Sequence, residues 1–353
     1  MKRLLAIGMT VTLAASAWAT ATLDPDTNIL TFDVESGEET YTTALTSSIA
    51  GIVKTGAGTI ILSTASASFT GGKPITISGG AIEVRNADAL GSGNVVTVAN
   101  GATFRMVYDS GNGQANDVVL LGGSTLYLDG GGGNLDYFIG NVTLAGNATI
   151  NTRSRRGFGK TLDLGGHTLT RIGANVEFVF SGNGTAGSTA VVRGPGTICN
   201  AATGTITFTD SSVFEGDVVF ESAASGTTIN MWNRASPVPC TLRATENTSF
   251  RMGRGLIGNV SNTPLANIWN GNVEIASGKT LKFTGNSSYP GDYLTVGGVI
   301  SGAGAVEIPA AANGTIVQFK GVNTYTGGTT GKRASQAAAR RNGRFRYRAT
   351  ARR

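Results

Sequence analysis

A phrase recurs along this chain at intervals of about 22 residues, and it constrains the fold more than any single residue does. Its form is apolar-x-apolar, a Gly or Asn near the fifth step, then Thr or Ala followed by a large apolar residue. One copy begins at Ile75 (with Ile77, Gly80, Ala81, Ile82 and Val84) and the next at Val96 (with Val98, Gly101, Thr103, Phe104 and Met106). It returns at Val118 (Leu120, Gly123, Thr125, Leu126, Leu128) and at Val142 (Leu144, Asn147, Thr149, Ile150). A late copy starts at Val273 (Ile275, Gly278, Thr280, Leu281, Phe283), after a gap of about six such units. A fixed period of this size means stacked units, each too small to bury its own apolar face. The period-2 alternation inside each copy makes the unit a strand. Successive copies run the same way, so the stack is parallel.

Composition agrees with short strands joined by tight turns. Gly is 52 of 353 residues, Pro only 8, and charged residues 14%. Gly supplies turns that need positive φ, and Thr and Val suit strands. An apolar share of 40% is enough for a core. The expectation is an all-β solenoid over residues 20–330, with about 13 rungs and a length of about 60 Å at one strand spacing per rung. Val, Ile, Leu and Phe should fill inward columns, with Gly and Asn at the corners. Leu30–Val34 is expected to cap the N-terminal end.

Residues 1–19 read as a secretory signal peptide. Lys2 and Arg3 form a charged start, Leu4–Ala15 an apolar core, and Ala17-Trp18-Ala19 a cleavage site. Export to the cell surface, the outer membrane or the medium is the expected localisation. Export permits disulfides, yet Cys199 and Cys240 lie about two rungs apart, roughly 10 Å, beyond the reach of a bridge. Both thiols are expected to stay unpaired.

The formal charge of +6 misleads. Lys332, Arg333, Arg340, Arg341, Arg344, Arg346, Arg348, Arg352 and Arg353 crowd the last stretch, which holds no acid. Without them the body is mildly acidic, so nucleic acid is not an expected partner. Residues 331–353 are expected to be disordered and outside the stack, because an inward column cannot bury so many unpaired cations.

Candidate chemical residues are few. His167, the only histidine, follows Gly165-Gly166 and reads as a turn residue. Asp24, Asp26, Asn28 and Glu35 match four positions of a calcium loop, but Ile29 stands where its glycine belongs. Gly131–Phe138 is one substitution from a calcium-binding nonapeptide but stands alone. Asp109, Asp117, Asp129, Asp136 and Asp163 are scattered singly, and could converge only if the stacking brought them together. Arg153, Arg155 and Arg156 form a basic cluster that could meet an acidic sugar. No nucleophile elbow is present, and no catalytic, cofactor or metal residue is assigned.

A second pattern overlies the period. Lys54-x-Gly56-x-Gly58-Thr59-Ile60-Ile61-Leu62 leads through Phe69-Thr70-Gly71-Gly72 to Gly80-Ala81-Ile82 and Ala89-Leu90-Gly91. A second match runs from Ile300 to Val306 and resumes at Asn323-Thr324-Tyr325-Thr326-Gly327-Gly328. This resembles the autotransporter-associated β-strand repeat of bacterial surface proteins, over about a quarter of the chain. The resemblance implies a right-handed parallel β-helix passenger; with the repeat, the signal peptide and no convergent catalytic set, the expectation is a non-enzymatic surface or secreted protein without a cofactor. The resemblance also implies an outer-membrane translocator that this chain does not encode, and contact with an extracellular polysaccharide or a host or neighbouring cell surface. A carbohydrate-active enzyme or a non-catalytic glycan-binding scaffold is the alternative. After Thr330 the pattern stops, and the tail reads as an out-of-register end of a longer gene. A genuine basic arm for anionic polymers or surfaces is the alternative there.

Overall fold

In a computed structural model, each of the first four phrase copies is a strand, a glycine- or asparagine-marked turn and a second strand. The copies stack in the register their spacing sets. Ile75 pairs with Val96, Val96 with Val118, and Val118 with Val142. In the adjoining sheet Ile82, Phe104, Leu126 and Ile150 lie one above the next. The structure describes residues 20–108, 115–130, 136–182, 188–232, 237–253, 266–284, 293–309, 316–331 and 345–348. The signal segment 1–19, Asp109, Gly131–Leu135 and most of the basic tail lie outside these.

The chain is an all-β parallel solenoid with no α-helix among the described residues. A first sheet of ten strands runs from Thr20–Leu23 to Ser212–Glu215, and a second of twelve from Glu38–Tyr41 to Ile300–Gly302. A third sheet of nine strands opens at Asp136–Phe138 and ends at Thr329–Gly331. A fourth of four strands takes the place of the first in the later turns, from Ala266–Trp269 onward. At about 4.8 Å per turn the twelve-stranded sheet makes a rod about 50 Å long, close to the expected length.

Inward positions alternate with outward ones and are buried. Phe138, Phe158, Phe180 and Phe208 stack in register in the third sheet, all at most 1% exposed. Their rings meet Phe214 and Phe220 across the interior, with Phe208–Phe220 centroids 4.7 Å apart. Corners carry buried asparagines as expected. The Asn94 side-chain amide donates to the carbonyls of Phe69 and Leu90 at 2.7 and 2.8 Å.

Corner glycines are set by space as well as by dihedral. Gly80 has φ 59°, and a Cβ there would lie 2.1 Å from the Gly58 carbonyl oxygen of the turn below. Gly91 has φ 59°, and its Cβ would lie 1.7 Å from the Phe69 carbonyl oxygen. Gly80→Ala or Gly91→Ala is therefore expected to cost at least about 2 kcal/mol, from positive-φ strain plus a displaced rung. Urea unfolding followed by far-UV circular dichroism checks this; an unchanged midpoint would contradict it.

One expectation is corrected, and the structure adds two features that the sequence left unspecified. The late copy at Val273 lies on the second and third sheets, because Val273 pairs with Leu242 and Leu281 with Thr248. The first copies lie on the first and second. The same shift separates the two resembling segments, Lys54 being on the first sheet and Ile300 on the second. From Asp136 onward the turns gain a third strand, and a strand–turn–strand phrase fits any two adjoining sheets. Leu30–Val34 is also not the N-terminal cap. Thr20–Leu23 lies outside Ile29–Asp33 in antiparallel pairing, its register running from Thr20↔Asp33 to Leu23↔Leu30. Finally, one short segment within the basic tail takes strand geometry. Phe345–Arg348 pairs antiparallel with Ile316–Phe319. That reversal ends the sheet and adds no further parallel rung.

Candidate functional site

The motif residues build corners. Lys54 occupies an inward row between Phe32 and Ile77 and is 0% exposed. Its Nζ donates to the carbonyls of Thr55, of Gly56 at 3.0 Å and of Gly79 at 3.4 Å. Burial pushes its pKa below the usual 10.5, with Asp33 and Glu35 pulling it partly back. The ammonium thus ties the Gly56 corner to the turn above it. Gly56, Gly58, Gly71, Gly72, Gly80 and Gly91 lie between strands, while Thr59, Leu62 and Ile82 lie within strands of the second sheet. Leu90 is fully buried under the Gly91 corner. Tyr325, Gly327 and Gly328 belong to the last described turn, where Tyr325 stays only partly buried.

Sequence reading missed a buried polar ladder. Arg171 sits in the inward row of the second sheet, in register with Ile150 and Asn200, and is 1% exposed. Its guanidinium donates to Thr152 Oγ1 at 3.1 Å, Asn200 Oδ1 at 2.8 Å and the Val176 carbonyl at 2.9 Å. Asn200 then donates to Thr227 Oγ1 at 2.9 Å. Arg156, 1% exposed, donates to the carbonyls of Tyr108 at 3.0 Å and Asp129 at 2.6 Å, binding turns below its own. A hydrophobic-period search passes over such residues because each takes the place of an apolar one.

The outward face of the second sheet carries charge in ladders. Glu83, 1% exposed, meets Arg85 at 2.6 Å and Arg105 at 3.1 Å, and Arg105 lies 5.1 Å from the Tyr127 ring centroid. Further along, Arg243 bridges Glu221 at 3.2 Å and Glu274 at 3.3 Å. Between them Thr103, Thr125, Thr149 and Thr170 form one in-register row.

The third sheet's outer face holds a further polar group. Glu177 accepts from Arg155 Nε at 2.7 Å and from Thr207 Oγ1 at 2.5 Å, and Asn230 donates to the same hydroxyl at 3.2 Å. Asn230 is 5% exposed and its Oδ1 has no hydrogen-bond partner among the described residues. The Tyr137 ring lies 3.1 Å from where a Cβ of Gly157 would stand. Burial raises the pKa of Tyr137 above 10. An ion-paired carboxylate, an amide oxygen, hydroxyls and an aromatic ring can bind a polar ligand. They do not make the paired carboxylates of glycoside hydrolysis.

Three of the five acids singled out from sequence, Asp117, Asp129 and Asp163, are engaged elsewhere. Asp117 accepts from the Asn141 backbone and side chain at 2.8 and 3.0 Å, and Asp163 from Gly165 N at 3.1 Å. Asp129 accepts from Gly130 N at 2.8 Å and Tyr127 OH at 3.1 Å. The arginine cluster separates: Arg155 goes to Glu177 and Arg156 into the interior. Asp24 closes the turn before Ile29–Asp33, accepting from Asp26 N at 2.8 Å, with Asn28 at φ 55°. His167 lies in the turn between Thr161–Asp163 and Thr168–Gly173. Among the described residues no group of three His, Cys, Asp or Glu could hold a metal ion, and no helix is long and apolar enough to cross a membrane.

Cys199 and Cys240 are not bridged. Cys240 is 2% exposed, while Cys199 faces outward beside Glu221, where burial and the carboxylate raise its pKa. A thiol reagent near pH 8 should label Cys199 slowly and leave Cys240 untouched until the fold is denatured. Two reactive thiols then appear, with no mass change on reduction.

No protein family, no curated protein and no solved structure matches this chain.

Proposed function

We propose that this chain is an exported, non-enzymatic rod of the autotransporter passenger type. It carries its outward faces to an extracellular polysaccharide or a cell surface. One observation carries the reading: among the described residues, the ion pairs mainly join one turn to the next. Glu83–Arg105, Arg155–Glu177, Arg193–Glu215 at 2.9 Å, Arg243–Glu274 and Lys282–Glu307 at 3.2 Å each join different turns. Lys54 and the corner glycines of the resembling segment likewise serve the scaffold. A second reading, a glycan-binding or glycan-cleaving face, draws on the Glu177 cluster.

Two measurements test the proposal. Expression with residues 1–19 intact should release a product whose N-terminus lies near Thr20. The purified protein, incubated with a panel of acidic and neutral polysaccharides, should liberate neither reducing nor unsaturated sugar. Sugar release that disappears in Glu177→Gln would overturn the non-enzymatic assignment and place the chemistry on the third sheet.

A further inference from the structure

The outer face of the third sheet carries an aromatic ring and a cation that the stacking does not use. Along Thr227–Trp232, Ile229 and Met231 are buried in the core, so Asn230 and Trp232 point to the outer face. Trp232 stands in register with Thr209 of the preceding turn and Gly253 of the following one, a residue with no side chain to lay over the indole. It stays partly exposed and makes no ring contact among the described residues. Trp269, by contrast, is 0% exposed and packs against Phe250 and Phe208.

Asn230 is in register with Thr207 on one side and Arg251 on the other. Its amide nitrogen donates to Thr207 Oγ1 at 3.2 Å, while its Oδ1 is buried without a donor among the described residues. Thr207 cannot supply one, because its hydroxyl donates to Glu177 at 2.5 Å. A buried acceptor left unpaired is costly and uncommon in a folded protein. Arg251 is exposed and forms no ion pair among the described residues. Arg105, Arg155, Arg193 and Arg243 are each held by a carboxylate of another turn.

We propose that this face binds an acidic polysaccharide, with a sugar ring on Trp232, a uronate carboxylate on Arg251 and a sugar hydroxyl donating to Asn230 Oδ1. The indole offers a flat apolar surface to the C–H face of a pyranose. Arg251 meets a carboxylate through two parallel N–H donors, and its side chain gives up no internal partner to do so. As it turns to that carboxylate it uncovers Asn230, and the ligand hydroxyl supplies the missing donor. Arg251 lies one strand spacing from Asn230, about 4.8 Å, and Trp232 two residues along the strand, about 7 Å. A disaccharide spans the three. The inference rests on the proposed reading that the outward faces meet an extracellular polysaccharide, and adds the ligand class and the place.

The experiment uses residues 20–353, in which Trp232 and Trp269 are the only tryptophans. Because Trp269 is fully buried, acrylamide quenching reports on Trp232. A soluble oligogalacturonate should shift the emission saturably and protect it from acrylamide, and a neutral oligogalactan should do neither. Binding should weaken as salt rises from about 20 to about 500 mM. In calorimetric titration, Trp232→Ala and Arg251→Ala should each weaken binding by about tenfold or more, with an unchanged far-UV spectrum. Arg251→Lys, which keeps the charge without the two-donor fork, should recover part of the loss. Full affinity in either alanine variant overturns the site and leaves the proposed function standing. So does oligogalacturonate binding that leaves the Trp232 emission of the unaltered protein unchanged, as attachment through the basic tail would. An equal response to the neutral oligomer overturns the acidic class. If neither oligomer binds and the polysaccharide panel is not bound either, the site and the polysaccharide part of the proposed function fail together, while cleavage near Thr20 still tests export on its own.

Discussion

Phe208→Ala should lower the free energy of unfolding by about 3–5 kcal/mol. Phe208 is fully buried and central to the aromatic cluster. Its ring stacks on Phe180 at 5.7 Å and meets Phe214, Phe220 and Trp269 at 5.3, 4.7 and 6.1 Å. Truncation removes contacts on several sides, and the rungs above and below cannot collapse onto the gap without breaking the ladders to Phe180 and Met231. In a solenoid each rung is held by its neighbours, so a weak central rung also divides the cooperative unit. Urea unfolding should show a lower midpoint and a broadened or split transition. A loss below about 1 kcal/mol with one sharp transition would contradict this account.

Arg171→Ala should cost a similar amount, about 3–5 kcal/mol, for a different reason. The guanidinium is held by Thr152, Asn200, Ala174 and Val176, and it lies 5.9 Å from the Phe178 ring centroid. Removing it leaves Asn200 Oδ1 and the carbonyls of Ala174 and Val176 buried without that donor. Burial pulls its pKa down to about 10. Because the folded value lies below the ordinary guanidinium range, the unfolded chain holds the proton more tightly. Any pH effect from this group is therefore a gain in stability as pH rises above about 10. The difference between wild type and variant should be flat from about pH 5 to 9. Denaturation midpoints across that range check it; a difference that vanished at either limit would mean that another group carries the effect.

How much of this was legible beforehand differs from residue to residue. The row Ile82, Phe104, Leu126 and Ile150 could be read directly, since each copy repeats its neighbour's alternation at a constant step. The row's continuation into Arg171, Asn200 and Ser222 could not, because polar residues leave no hydrophobic period. Lys54 was legible as a motif position but not as a buried one. Nothing local to Lys54 says that three carbonyls converge on its ammonium. The Glu177 cluster was likewise hidden. Its members, Tyr137, Arg155, Glu177, Thr207 and Asn230, come from five turns and show no common spacing in the chain.

Period, alternation and corner glycines determined by themselves that this chain is a stack of parallel strands. Each is a local property, repeated until stacking is the only way to bury the apolar rows. Only the tertiary structure decided which sheet each later copy joins, where a third strand enters the turn and how the two ends finish. Those outcomes depend on loop lengths accumulated over many turns and on antiparallel strands at Thr20–Leu23 and Phe345–Arg348. A repeat fixes how one unit meets the next; it carries no instruction for the unit that has no neighbour.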